Sequence, residues 1–307
     1  MAKTAFIFPG QGSQYIGMGK DFYDNFEVSR KAIDLASEAS GIDMKELLFT
    51  ENDRINITEF TQIAMLADEI AILKAVLEAG IVSDVNAGLS LGEYAAITAS
   101  GVMSDYDAFK VVTKRGKYMQ DAVPEGGAMT AVIGLAADII EDVVGKAEGI
   151  VSVANYNCPG QIVITGEKSA VDAAAEALKA AGAKRCMPLN VSGPFHSKLL
   201  SGAGEQLAAE LENVQINDIA VPYITNVTAD YVTDKSQVKE LLKLQISSSV
   251  RWQQSVERMI ADGVDTFIEI GPKKSLSGFM RKIDKTVTSM HVDTVDDLEK
   301  LCEALKK

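Results

Sequence analysis

The change of hydrophobic rhythm at Pro124-Glu125-Gly126-Gly127 constrains this chain more than any other feature. Beyond that break the spacing predicts strand 129–135, helix 137–147, strands 150–155 and 161–165, helix 169–181 and strand 184–191. The order is βαββαβ. Val171, Ala174, Leu178 and Ala181 form a stripe on the second helix, so two helices can cover one face of a four-stranded antiparallel sheet of ferredoxin-like type. Outside this unit, strands near 3–8, 85–87, 223–227, 266–270 and 287–292 alternate with helices such as 58–79, 93–100 and 105–123. Helix 58–79 carries its stripe at Ile63, Leu66, Ala67, Ile70, Leu73 and Leu77. Alternation of this kind calls for a mainly parallel sheet covered on both faces. The expected fold is therefore α/β, with a core of residues 1–124 and 195–307, a small domain of 125–194 inserted in it, and a junction at Ser192-Gly193-Pro194.

A length of 307 residues suits one large domain or two unequal ones, and 47% apolar with 24% charged residues is ordinary globular composition. The formal net charge of −13 opposes nonspecific attraction to nucleic acid or anionic lipid. Cys158, Cys186 and Cys302 are scattered without CxxC spacing, which argues against a disulfide framework or a metal site and for a reducing compartment. Only residues 5–8 form an apolar run near the N-terminus, too short for a signal peptide, and no stretch approaches the roughly 20 apolar residues of a membrane span. A cytoplasmic protein with no nucleic-acid or membrane partner is expected.

Gly88-Leu89-Ser90-Leu91-Gly92 matches GxSxG between a predicted strand and a predicted helix. That is the setting of a nucleophile elbow, in which glycines permit a sharp turn and the Leu91 amide can face an oxyanion. A capping serine in a glycine-rich turn is the other reading. Serine needs a base, and there are two histidines. His291 falls within a strand, where ordinary packing explains it, whereas His196 follows the domain junction, where clefts form. Arg115 interrupts a helical stripe of Ala108, Val111, Val112, Tyr118, Met119 and Ala122. It is either a clamp for a substrate carboxylate, or a structural ion pair or a side chain snorkelling to solvent beside Lys114 and Lys117. The loop Gly10 to Gly19 fails both phosphate-loop patterns, Ser236-Gln237-Val238-Lys239 reads as a solvated face, and Asn155 to Gln161 reads as a turn-rich connection.

Together with several flanking segments, these residues resemble the malonyl-CoA:acyl carrier protein transacylases of bacterial fatty-acid synthesis, essentially end to end. The resemblance rests on Phe8-Pro9-Gly10-Gln11-Gly12-Ser13-Gln14, Thr61-Gln62, Gly88 to Tyr94, Arg115-Gly116, Asn155 to Gln161, Phe195-His196-Ser197, Asn226 to Ala229, Val250-Arg251-Trp252 and Glu269-Ile270-Gly271-Pro272. It implies a hydrolase-like core with a ferredoxin-like insertion, and ping-pong transfer of malonyl from malonyl-CoA to a phosphopantetheine thiol on acyl carrier protein. Ser90 would be the nucleophile, His196 the base and the Gln245 carbonyl its orienting acceptor. Gln11 and Leu91 would supply amides to the oxyanion. Arg115 would bind the malonyl carboxylate with Gln62 nearby, and Asn155, Phe195, Met119 and Val191 would complete the substrate-binding set, Phe195 favouring malonyl over branched acyl groups. No metal or cofactor beyond the substrates is expected.

Leu89, Ile63, Lys198 and Ser249 depart from the pattern, replacing a histidine and three prolines. None of the four removes a proton-transfer group, and Lys198 adds positive charge where an acidic carrier protein would dock. A serine esterase or acyl hydrolase would share Ser90 and His196, but Arg115 suits a dicarboxylic acyl group rather than a plain ester. A noncatalytic docking module would need neither residue to be reactive.

Overall fold

The computed structural model describes residues 3–191 and 193–306, so Ser192 at the expected junction lies outside the described residues. The first sheet contains β1 (Lys3–Phe8) and β2 (Val85–Gly88) from the first part of the chain. After an antiparallel unit of β3 (Gly127–Ile133), β4 (Val151–Cys158), β5 (Gln161–Glu167) and β6 (Arg185–Pro188), the chain returns to the first sheet with β7 (Tyr223–Ile224), β8 (Val264–Ile270) and β9 (Thr288–Val292).

That sheet has the order β7-β2-β1-β8-β9 and every pair is parallel. Burial on both faces explains the near-continuous apolar run of β1: Phe6 and Phe8 enter one core cluster, Ala5 and Ile7 the opposite one. Helices Glu27–Ser40, Thr58–Glu78 and Asp105–Ala122 fill the first side, and helices Trp252–Ala261 and Ser275–Ile283 cover the second. Helix Thr58–Glu78 departs from the one-sided stripe expected of it. It is buried nearly all round, Asp68 and Glu69 included, while Leu77 of the expected stripe is exposed.

The second sheet has the order β4-β5-β3-β6, antiparallel throughout, which is the ferredoxin-like arrangement. Helices Ala137–Lys146 and Lys168–Ala180 cover one face through Ile140, Val144, Val171 and Leu178. The other face puts Met129, Ala131, Ala154 and Val163 into the main core. Main-chain bonds fasten this sheet to the segment before helix Trp252–Ala261: Val250 donates to Ala154 at 2.8 Å and Tyr156 donates to Val250 at 2.9 Å. Ser249, one of the proline replacements, adds a hydroxyl bond to the Val153 carbonyl at 2.6 Å.

Three expected elements change. The turn-rich reading of Asn155 to Gln161 is wrong, because β4 runs on to Cys158 and the connection narrows to Pro159-Gly160, with Gly160 at φ 74°. Strand 184–191 ends at Pro188, which has no N–H to extend a ladder, so Val191 lies in the junction loop. Strand 223–227 stops at Ile224, freeing Asn226 for the neighbouring turn. Among the described residues, no helix is long and apolar enough to cross a membrane.

Candidate active site

β2 ends at Gly88 and the next helix begins at Gly92, leaving Leu89, Ser90 and Leu91 to reverse the chain. Ser90 takes φ 55°, a left-handed conformation that costs a residue with a Cβ about 1–3 kcal/mol. Both glycines are sterically required: a Cβ on Gly88 would lie 1.9 Å from the Gly92 carbonyl carbon, and one on Gly92 would lie 2.2 Å from the Phe8 oxygen. Asn226 holds the turn closed. Its Oδ1 accepts from the Ser90 amide at 2.6 Å and its Nδ2 donates to the Gly88 carbonyl at 2.6 Å.

The Ser90 hydroxyl lies 2.8 Å from His196 Nε2. On the far side of the ring, Nδ1 faces two acceptors, the carbonyls of Gln245 at 2.9 Å and Ser248 at 3.1 Å. Two acceptors require the proton on Nδ1, so Nε2 presents its lone pair to the serine. Burial, with Arg115's positive charge adding to it, pushes the His196 pKa down to about 4 against the opposing pull of the two carbonyls. The imidazole is therefore a neutral, ready acceptor at neutral pH.

Arg115 is fully buried, as its place in the apolar stripe predicts. Nη1 donates to Gln62 Oε1 at 2.6 Å, and Nη2 donates to Gln245 Oε1 at 3.0 Å and to Ser90 Oγ at 3.2 Å. Its Nε has no partner among the described residues, and the guanidinium carbon stands 5.4 Å from the Tyr94 ring centre. Burial lowers its pKa, opposed by Tyr94 and Glu93, yet a guanidinium stays charged. Full burial excludes the snorkelling alternative, and these three bonds all go to neutral acceptors, so among the described residues no carboxylate pairs directly with the guanidinium. Gln62 is held in turn by Met119, whose sulfur accepts from its Nε2 at 3.4 Å.

A cleft of about 270 Å³ opens over this group, lined by Ser90, Leu91, Gln11, Gln62, Arg115 and His196. Met119, Asn155, Val191 and Phe195 also line it, as do Asn157, Met129 and Val163 from the second sheet. Gln245 alone of the expected set lies behind the wall, touching His196 through its carbonyl and Arg115 through its side chain. A Cβ on Gly10 would lie 2.7 Å from the Leu89 oxygen, so the first loop passes close to the elbow. The Gln11 side chain is tied to the Thr58 hydroxyl at 3.0 Å, and among the described residues neither the Gln11 nor the Leu91 main-chain amide donates to another group. Glu269 supports the opposite wall by accepting from the Leu276 and Ser277 amides at the start of helix Ser275–Ile283.

His291 plays no part here; it lies on β9, with Nε2 3.7 Å from Asp297. Ser236 sits on an exposed turn. The roles of Glu93, Asn226, Ser248 and Tyr94 were not read from the sequence. Glu93 and Tyr94 are a carboxylate and a phenol three and four positions after Ser90 in an otherwise apolar helix, which is a usable signal. Asn226 and Ser248 reach the site only through tertiary contact.

Fold and site define an α/β protein built around a serine–histidine pair of the kind that carries acyl groups, with a buried cation beside the serine. A family model described as an acyl transferase domain matches residues 5–299, and the chain belongs to that family. It is 44% identical to the malonyl CoA-acyl carrier protein transacylase of Bacillus subtilis, across 100% of this chain and 98% of that one. The crystal structure of malonyl CoA-acyl carrier protein transacylase from Clostridium perfringens superposes with a TM-score of 0.96 at 45% identity, covering 99% of this chain and 98% of that one. A type II PKS acyl-carrier protein in complex with its malonyl-transacylase gives 0.95 at 38% identity, covering 99% and 100%.

Proposed function

We propose that this chain transfers malonyl from malonyl-CoA to the phosphopantetheine thiol of an acyl carrier protein through a malonyl-Ser90 intermediate. The observation that carries the reading is Arg115: a fully buried guanidinium whose hydrogen bonds go to neutral groups, 3.2 Å from the nucleophile. A buried cation in that state favours an anionic ligand able to take two parallel hydrogen bonds. An acyl group that ends in a carboxylate meets that demand while placing its thioester carbon near Ser90. The full-length likeness to proteins that carry this activity in their names supports the same conclusion.

Ser90 Oγ attacks the thioester carbonyl and its proton passes to His196 Nε2. The oxyanion is received by the main-chain amides of Gln11 and Leu91, worth about 3–4 kcal/mol per donor in comparable sites. Collapse expels the CoA thiolate, which takes the proton from His196. A carrier thiol then gives its proton to His196 and attacks the acyl-serine, and the departing Ser90 oxygen recovers that proton. The Gln245 and Ser248 carbonyls do the orienting work of a triad carboxylate, and each step draws only on the chain and its substrates. Phe195 and Met119 narrow the pocket against branched acyl groups. Asn155 and Val191 flank the thioester arm.

The core of 1–124 and 195–307 supplies the nucleophile, base and clamp, and the domain of 125–194 supplies a wall of the cleft. Lys198, exposed two residues past His196, offers charge to an acidic carrier in the cytoplasm. The test is steady-state transfer from malonyl-CoA to holo acyl carrier protein. Parallel double-reciprocal lines and a malonylated carrier are expected. Free malonate released at the same rate with and without carrier would instead make the protein a hydrolase.

A further inference from the structure

The buried acid behind the elbow, Glu93, has no part in those proton transfers. It stands on the first turn of helix Gly92–Ala99 and is fully buried. Oε2 accepts from Gln245 Nε2 at 2.6 Å and from the Asn226 main-chain amide at 3.0 Å. Gln245 Oε1 in turn accepts from Arg115 Nη2 at 3.0 Å. One amide side chain thus bridges a buried anion and a buried cation. Glu93 Oε1 faces the Thr225 hydroxyl, which steadies the carboxylate although no bond of full hydrogen-bond geometry joins the two. A proton added to Oε1 would find an acceptor in place.

Charge counting gives the consequence. Glu93 and Arg115 balance one another, and a carboxylate seated on Arg115 adds a second negative charge to a site shielded from water. Like charges sharing such a site do not both remain ionised. Resting on the malonyl reading above, we propose that Glu93 is the internal counter-ion of Arg115 and takes up a proton from solvent when a substrate carboxylate pairs with that guanidinium.

Burial pushes the Glu93 pKa up to about 7, while Asn226, Thr225 and Gln245, with the Arg115 charge, hold it from rising further. The other titratable groups of this cluster are Tyr94 on the same helix, Tyr223 on β7, Arg115 and His196. Burial raises both phenols, Arg115 stays cationic, and His196 is neutral above about pH 4. Glu93 is thus the member of the cluster that changes charge near neutrality.

Calorimetric titration of Ser90→Ala at pH 8, in two buffers of different ionisation enthalpy, counts the protons that accompany binding. Malonyl-CoA is expected to bring in about 0.5–1 proton and acetyl-CoA none. In the wild-type enzyme, KM for malonyl-CoA should rise above about pH 7, approaching tenfold per pH unit, with kcat level. Glu93→Gln should flatten that slope, whereas a side chain that only braced the elbow would change kcat without changing the slope. Malonyl-CoA binding without proton uptake, or an equal slope in Glu93→Gln, overturns the proposal. Mapping malonyl-Ser90 in the wild-type protein separates the two readings: no adduct removes the parent function, and an adduct without proton uptake removes only the role of Glu93.

Discussion

Two groups of charge are buried in this core, and they are built in opposite ways. Around Ser90, Arg115, Glu93, Gln245, Gln62 and Asn226 exchange hydrogen bonds so that each charge is answered through an intervening amide. On helix Thr58–Glu78, Asp68 and Glu69 are just as buried, yet none of their four carboxylate oxygens has a partner among the described residues. Asp68 presses on Gly19, where a Cβ would come within 2.3 Å of its Oδ1. Burial holds both acids well above the usual carboxylate range, helped for Asp68 by Asp293 and Asp21 and for Glu69 by Asp68 and Glu269. The first group is networked, each charge meeting polar partners; in the second, burial without partners favours the protonated carboxyl. Burial alone therefore does not mark a site, whereas burial of a cation among neutral acceptors beside a hydrogen-bonded serine–histidine pair points to one.

The sharpest way to break that contrast is to cut the network where it holds the elbow. Asn226→Ala leaves the Ser90 amide and the Gly88 carbonyl without their partner and releases a strained turn. Ser90 acylation should fall about 10- to 100-fold, from the roughly 1–3 kcal/mol of two lost buried bonds, with far-UV circular dichroism unchanged; stopped-flow release of CoA checks it.

A smaller effect tests the state of the base. With its pKa lowered to about 4, His196 remains neutral as pH falls from 7 to 5. Single-turnover acylation should therefore be nearly level over that range and reach half its plateau at about pH 4. A half-point near the ordinary histidine value of about 6.5 would contradict the burial argument.

The unpartnered acids should show in stability rather than in catalysis. A native-state pKa raised above the unfolded value means that the folded chain holds more protons, so stability is full below the unfolded pKa and declines as pH rises toward the folded one. Glu69→Met removes the buried carboxyl at similar volume. It should raise the unfolding free energy at pH 8 by about 1–3 kcal/mol and lessen the alkaline decline, as read by urea denaturation. Acylation should be unchanged.

The sequence made the main architecture legible because its signals are local. β1, the elbow and the βαββαβ unit announce themselves through periodicity, glycine and proline. Ser90, His196 and Arg115 stand out because each breaks its surroundings: a serine between two glycines, a histidine at a junction, a guanidinium in an apolar stripe. Asn226 and Ser248 do not, because their function exists only after β7 and the chain beyond helix Val238–Gln245 have folded against the elbow. Helix Thr58–Glu78 misled for a related reason. Its periodicity indicates one buried face, and only the packing of helices Glu27–Ser40 and Asp105–Ala122 around it shows why Asp68 and Glu69 are enclosed while Leu77 is exposed. The Asn155–Cys158 extension of β4 depends likewise on pairing with Val250.

The central claim is that Arg115 selects a dicarboxylic acyl group for Ser90. Incubating the protein separately with malonyl-CoA and acetyl-CoA, without a carrier, and mapping the adduct by intact mass and peptide sequencing tests it directly, with Arg115→Ala in parallel. The predicted result is malonyl on Ser90, formed about 10³-fold faster than acetyl, with that preference lost in Arg115→Ala. Equal labelling by both thioesters, or a malonyl preference that survives Arg115→Ala, would contradict the account.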